Sequence, residues 1–138
     1  MEFTRRDTLA MGLGAAVLSM VPFRASASAD AAIEAFTGGA DMADTGIELT
    51  APEIAENGNT VPIEVSAPGA TAIMVLAAGN PTPGVATFKF GPLAGSQSAS
   101  TRIRLAGTQD VVAIAKMADG SFARAASTVK VTIGGCGG

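Results

Sequence analysis

Short runs of alternating apolar and polar residues dominate the sequence from residue 47 onward and restrict the chain to a β-rich fold. In Val61–Val65, valine and isoleucine alternate with proline and glutamate. A period of two is typical of a strand with one buried face. Segments rich in Gly, Pro, Asn and Asp separate the runs, as expected for turns. The runs are Ile47–Leu49, Val61–Val65, Thr71–Ala78, Thr87–Phe90, Thr101–Leu105, Val111–Met117 and Ser127–Ile133. This regular spacing predicts an all-β fold, an immunoglobulin-like β-sandwich of about seven strands.

Two of these runs, Thr71–Ala78 and Val111–Met117, are apolar on both faces. One face of each strand in an antiparallel sandwich normally meets water. Either a helix covers the second face of these strands, or that face docks on another protein. The sequence leaves both alternatives open.

A short N-terminal helix is predicted ahead of the strands, over Asp30–Phe36. Asp30 is a possible N-cap, and Ile33 and Phe36 fall on one side of the helix. The pair Gly38-Gly39 is expected to end it.

The N-terminus has the pattern of an export signal. Twin arginines, Arg5 and Arg6, precede an apolar run, Leu9–Val21, that is shorter than the roughly 20 residues of a membrane span. Two overlapping A-x-A cleavage motifs follow, Ala25–Ala27 and Ala27–Ala29. We expect residues 1–29 to be a signal peptide of the twin-arginine (Tat) type, cleaved at a bond within 27–30, and residues 30–133 to form one periplasmic domain. An uncleaved anchor is the alternative.

Charge and composition argue against several classes of function. The chain carries 9 Lys and Arg and 12 Asp and Glu. Because the predicted signal holds three of the former and two of the latter, the remaining chain has a net charge of −4. Nucleic acid and anionic lipid need a basic face and are unexpected partners. The chain has no His and one Cys, so it lacks Ser-His and Cys-His pairs and cannot form an internal disulfide. We expect no catalysis, no cofactor and no metal site.

The single cysteine, Cys136, lies in the segment Gly134-Gly135-Cys136-Gly137-Gly138. Glycine has no side chain to pack, so residues 134–138 are predicted to form a flexible arm with a reactive thiol. The nearest cation in sequence, Lys130, is six residues away, so the thiol is expected to be activated by the site that receives it. A functionless tail and a Cys136–Cys136 disulfide remain alternatives.

Several segments together resemble the SoxY family, the sulfur carriers of the thiosulfate-oxidising Sox system. They are Ile54–Val65, Gly79–Pro83, Ser100–Phe122 and Val129–Ile133 running into GGCGG. The resemblance extends to the twin-arginine signal and covers essentially the whole chain. One departure is the connection Ser66–Thr71, which is shorter than is typical of the family.

The resemblance implies a periplasmic, non-catalytic carrier without a cofactor, in which thiosulfate-derived sulfur is attached to Cys136 and the flanking glycines form the arm. It also implies a heterodimer with SoxZ. Transient docking is implied with the haem enzyme SoxAX, the dimanganese enzyme SoxB and, where present, the molybdenum-haem sulfane dehydrogenase SoxCD. The alternative function is an envelope interaction module that an intermolecular disulfide tethers to a partner.

Overall fold

The computed structural model describes residues 25–135, which form one helix and nine strands. Within these residues no helix is both long enough and apolar enough to span a bilayer. In chain order the elements are α1 (Ala25–Thr37), β1 (Met42–Ala43), β2 (Glu48–Thr50), β3 (Ile54–Ala55), β4 (Val61–Ser66), β5 (Ala70–Ala77), β6 (Gly84–Lys89), β7 (Ser98–Ile103), β8 (Gln109–Met117) and β9 (Phe122–Val131).

The strands form two sheets with the connectivity of an immunoglobulin-type sandwich. The small sheet has the order β2-β4-β7, and its pairs are antiparallel. The large sheet has the order β1-β9-β8-β5-β6, with β3 paired to β9 as well. Strands β2, β4 and β7 match A, B and E of the immunoglobulin fold, and β9, β8 and β5 match G, F and C. The predicted fold class is confirmed.

An apolar core between the sheets holds the sandwich together. The alternating residues of β4 point into it, and Val61 and Val65 are almost completely buried. The large sheet contributes Ile73, Val111 and Val129, each with no exposed surface. Burying one such side chain stabilises the fold by about 1.5–3 kcal/mol. Because this core fixes the sheets against each other, it also fixes the loops that connect them.

Helix α1 covers the outer face of the large sheet. A second apolar cluster lies there, formed by the residues of β5, β8 and β9 that point away from the main core. Ile33 and Phe36 of the helix pack against it, and the Phe36 ring meets the Phe122 ring edge-on at 5.9 Å between centroids. The second apolar face of β5 and β8 is therefore explained by the helix, the first of the two alternatives that the sequence left open.

The helix begins earlier than predicted and ends where predicted. It starts at Ala25, so Asp30 lies inside it, and the assignment of Asp30 as N-cap is wrong. The alanine-rich stretch before Asp30 has high helix propensity, which extends the helix toward the N-terminus. At the other end Gly38 has a φ of 66° and donates from its amide to the Glu34 carbonyl at 2.7 Å. The helix crosses the predicted boundary at residues 29–30, and cleavage there stays a prediction.

All seven predicted strands are present with shifted ends, and β1 and β3 are additional. Each additional strand has two residues and pairs in parallel with β9. Two residues cannot display an alternating pattern, so neither strand was predictable from the sequence. A hairpin turn at Asp119-Gly120 joins β8 to β9, and Gly120 has a φ of 87°. In the same turn the Ser121 hydroxyl donates a hydrogen bond to the Asp119 carboxylate. This bond stabilises the ionised form and lowers the pKa of Asp119.

Replacing Phe36 with alanine is expected to weaken the contact of α1 with the sheet. The ring is half-buried, so we expect the free energy of unfolding to fall by about 1–3 kcal/mol, less than for a fully buried Phe. Urea unfolding measures the change. Glu34→Ala, an exposed position on the same helix, is the matched control. Equal stability of the two variants would contradict the packing role of Phe36.

Candidate functional site

The predicted attachment site, Cys136, lies outside the described residues, as do Gly137 and Gly138 of the predicted arm. The structure describes the tail as far as Gly135 and so shows how the chain approaches the cysteine. We call residues 132–135 the arm root. That residues 134–138 form a flexible arm stays a prediction.

The arm root leaves the end of β9 alongside the segment that contains β3. Lys130 donates from its amide to the Glu53 carbonyl at 2.9 Å, and Thr132 donates to the Ala55 carbonyl at 3.0 Å. The Thr132 hydroxyl adds a bond to the Glu56 carbonyl at 2.9 Å. The ladder of the large sheet thus continues past Val131 and directs the tail toward the loop at residues 57–59.

Three backbone segments then meet at the arm root, through a closed set of hydrogen bonds. The Gly58 amide donates to the Ile133 carbonyl at 2.7 Å, and the Gly58 carbonyl accepts from the Leu105 amide at 2.8 Å. The Leu105 carbonyl in turn accepts from the Gly135 amide at 2.8 Å. Gly58, Leu105 and Gly135 are all buried. The tail is therefore held between the 57–59 loop and the turn at residues 104–107.

The approach of these backbones requires glycine at three positions. A Cβ on Gly58 would lie 2.8 Å from the Gly135 nitrogen, and a Cβ on Gly135 would lie 2.9 Å from the Gly58 oxygen. A Cβ on Gly134 would collide with the Ala106 carbonyl oxygen. None of the three has a positive φ, so close packing explains them and backbone conformation does not. Sequence analysis explained Gly134 and Gly135 by flexibility alone. The structure shows that a side chain at either position would collide with neighbouring backbone, and that the same holds for Gly58.

Two buried amides hold the turn at 104–107 from the side away from the tail. Asn80 donates from Nδ2 to the Arg104 carbonyl and accepts from the Ala106 amide at Oδ1, both at 2.9 Å. Gln109 donates from Nε2 to Asn80 Oδ1 at 2.7 Å and to the Gly107 carbonyl at 3.0 Å. The sequence analysis included Asn80 only within Gly79–Pro83, a segment of the family resemblance, and did not single out Gln109, because a pattern of residues does not reveal which amide is buried.

The hydrogen-bond partners of the arm root are uncharged groups. Residues 131–135 bond to backbone groups and to the Thr108 hydroxyl, which contacts Val131. In this part of the described chain no ionised side chain hydrogen-bonds to the root. Across residues 25–135, no three His, Cys, Asp or Glu side chains are grouped so as to hold a metal ion. The described part of the site is thus built from backbone hydrogen bonds.

Comparisons with known proteins converge on one family. The family model described as "Sulfur oxidation protein SoxY" matches residues 33–136. The sulfur carrier protein SoxY of Chlorobium limicola f thiosulfatophilum is 39% identical, with a TM-score of 0.67 over 78% of this chain and 98% of that one. A superoxide reductase (neelaredoxin) of Ignicoccus hospitalis shares the fold alone, at 17% identity and a TM-score of 0.56 over 63% of this chain and 80% of that one. A search of curated proteins found no match.

Replacing Gly58 with alanine is expected to displace the arm root, because the added Cβ would meet the backbone of both Leu105 and Gly135. We expect protection of the Gly135 amide against hydrogen exchange to fall about tenfold, the equivalent of one hydrogen bond. Overpacking should also lower the free energy of unfolding by about 1–3 kcal/mol. Gly107→Ala is the control, since a Cβ there meets nothing within 4 Å. Unchanged Gly135 protection in Gly58→Ala would refute the steric argument.

Proposed function

Because the chain belongs to the SoxY family of sulfur oxidation proteins, we propose that it binds thiosulfate-derived sulfur covalently on Cys136 and presents it to Sox enzymes in the periplasm. The family consists of sulfur carrier proteins, so the chain is a carrier and not an enzyme. The observation that supports the assignment of Cys136 is that the family match extends to residue 136, the only cysteine of the chain.

The proposed chemistry proceeds in two steps on the thiol. In the first, the Cys136 thiolate and thiosulfate form an S–S bond that yields Cys–S–S–SO₃⁻ and releases two electrons, which the haem enzyme SoxAX takes up. In the second, SoxB adds water to the terminal sulfone, releasing sulfate and two protons and leaving Cys–S–S⁻. Where SoxCD is present, it oxidises the remaining sulfane. The carrier supplies one nucleophile and keeps the intermediate attached between enzymes.

The hydrogen bonds of the arm root support the idea that the receiving enzyme activates the thiol. A thiolate is stabilised by nearby cations or a helix N-terminus, and none of the hydrogen bonds of residues 131–135 comes from either. The thiol is then activated inside the enzyme that receives it.

Replacing Cys136 with serine is expected to abolish conjugation of thiosulfate, because the hydroxyl cannot form the S–S bond. Incubation with thiosulfate and SoxAX, followed by intact-mass measurement, detects the adduct. Fold and binding to SoxZ should be unchanged in circular dichroism and co-purification; loss of either would show that the cysteine is structural.

A second variant tests whether the position of the thiol matters. Ser98→Cys in the Cys136→Ser background places a thiol on β7, where the side chain is exposed. We expect no conjugation to this variant. Efficient conjugation would mean that any exposed thiol suffices and that the arm has no special role.

We further propose that the chain is exported by the Tat route already bound to SoxZ. The Tat machinery moves folded proteins, and a chain without a cofactor has little other reason to use it. Replacing Arg5 and Arg6, which lie outside the described residues, with lysine should keep both proteins in the cytoplasm. Fractionation followed by immunoblotting measures this. Normal periplasmic SoxZ in that strain would contradict joint export.

A further inference from the structure

The turn at residues 104–107 contacts two buried amides on one side and the arm root on the other. We propose that the Asn80–Gln109 pair is a positioning element for the carrier arm: by fixing this turn, it fixes where Gly134 and Gly135 lie, the two residues that precede Cys136 in the chain. The inference rests on the proposed function of Cys136 and adds two residues that lie far from the thiol in sequence.

The pair is rigid because its own polar atoms are bonded and shielded from water. Asn80 is 2% exposed and Gln109 is 9% exposed. Gln109 Oε1 accepts from the Gly79 amide at 2.9 Å, and a Cβ on Gly79 would lie 2.9 Å from the Gln109 Cβ. The loop between β5 and β6 therefore packs directly on the Gln109 side chain. Both amides have one arrangement in which all their partners are satisfied.

Most hydrogen bonds of the pair go to the turn rather than to a strand ladder. Two turn carbonyls, of Arg104 and Gly107, and one turn amide, of Ala106, depend on it. If either side chain is truncated, backbone groups of the turn lose their partners in a part-buried environment. The turn must then move or admit water, and either change alters its geometry.

A shift of the turn is expected to move the tail, because the turn also contacts Gly134 and Gly135 directly. The Leu105 carbonyl binds the Gly135 amide, and the Ala106 carbonyl lies where a Cβ of Gly134 would be. The next Cα after Gly135 is that of Cys136, about 3.8 Å away across one peptide. Because this distance is set by covalent geometry, a shift of Gly135 changes the position from which the chain continues to Cys136.

The position of Gly135 matters if the Cys136 thiol must enter the active-site cleft of an enzyme. A misplacement of about 1 Å far from the reacting atoms can cost about 10²-fold in rate. A small reagent that needs no docking is insensitive to it. The pair should thus affect enzymatic conjugation of Cys136 and leave its intrinsic reactivity unchanged, since it alters no charge near the thiol.

The test compares Asn80→Ala and Gln109→Ala with Val65→Ala, a control that is expected to lower the free energy of unfolding by a similar amount. Val65 is 1% exposed and lies four residues along β4 from Val61, about 13 Å farther from the arm root. The full chain in complex with its SoxZ partner is used for three measurements: hydrogen exchange of the Gly135 amide, kcat/KM for thiosulfate conjugation by the haem enzyme, and the rate of alkylation by iodoacetamide.

We expect both pair variants to lose Gly135 protection about tenfold or more and to lose kcat/KM by a similar factor, with alkylation within about twofold of wild type. The double variant should lose little more than either single one, because the two amides form one network. Val65→Ala should leave both arm measurements unchanged. If the alanine variants do not fold, Gln109→Met replaces them: it keeps about the size of the side chain, adds no charge and removes both hydrogen-bonding atoms of the Gln109 amide.

Pair variants indistinguishable from Val65→Ala in Gly135 protection and in kcat/KM would overturn the inference. Failure of the proposed function gives a different result: wild-type protein would not be conjugated, while Gly135 protection would still respond to Asn80→Ala. A parallel loss of alkylation and conjugation would also count against positioning, since it would indicate an effect on the thiol itself.

Discussion

The apolar core between the two sheets is the constraint on which the rest of the structure depends. It sets β4, β8 and β9 in a fixed relation, with Val61, Val111 and Val129 fully buried between them. The start of β4, the start of β8 and the end of β9 consequently lie together, which brings the 57–59 loop, the 104–107 turn and the tail to one end of the sandwich. A loop-rich site on a rigid scaffold is a common arrangement in binding proteins.

At that end, backbone contacts rather than side-chain chemistry define the site. Gly58, Leu105 and Gly135 form a closed set of hydrogen bonds, and the absence of side chains on the glycines lets three segments meet. The hydrogen bonds of the described tail come from uncharged groups. The proposed carrier function would leave activation of the thiol to the enzyme that receives it.

Much of this could be predicted from the sequence, and the parts that could not have a common cause. The alternation in β4 predicted a strand with one buried face, which the structure confirms. The assignment of Cys136 as the attachment site, made from the isolated thiol, stays a prediction. The roles of Gly58, Asn80 and Gln109 depend on contacts between segments 24 or more residues apart in sequence. Local pattern carries no information about such contacts. The same limit applies to β3, whose two residues gain their strand conformation only from β9.

The central claim is that sulfur intermediates are bound covalently to Cys136 during thiosulfate oxidation. The most direct test is the intact mass of the protein purified from cells grown on thiosulfate, with peptide mapping of the modified residue. The account predicts adducts with the mass of sulfane or thiosulfonate on the peptide that contains Cys136. An unmodified thiol throughout, or a stable mixed disulfide between Cys136 and another protein, would contradict it.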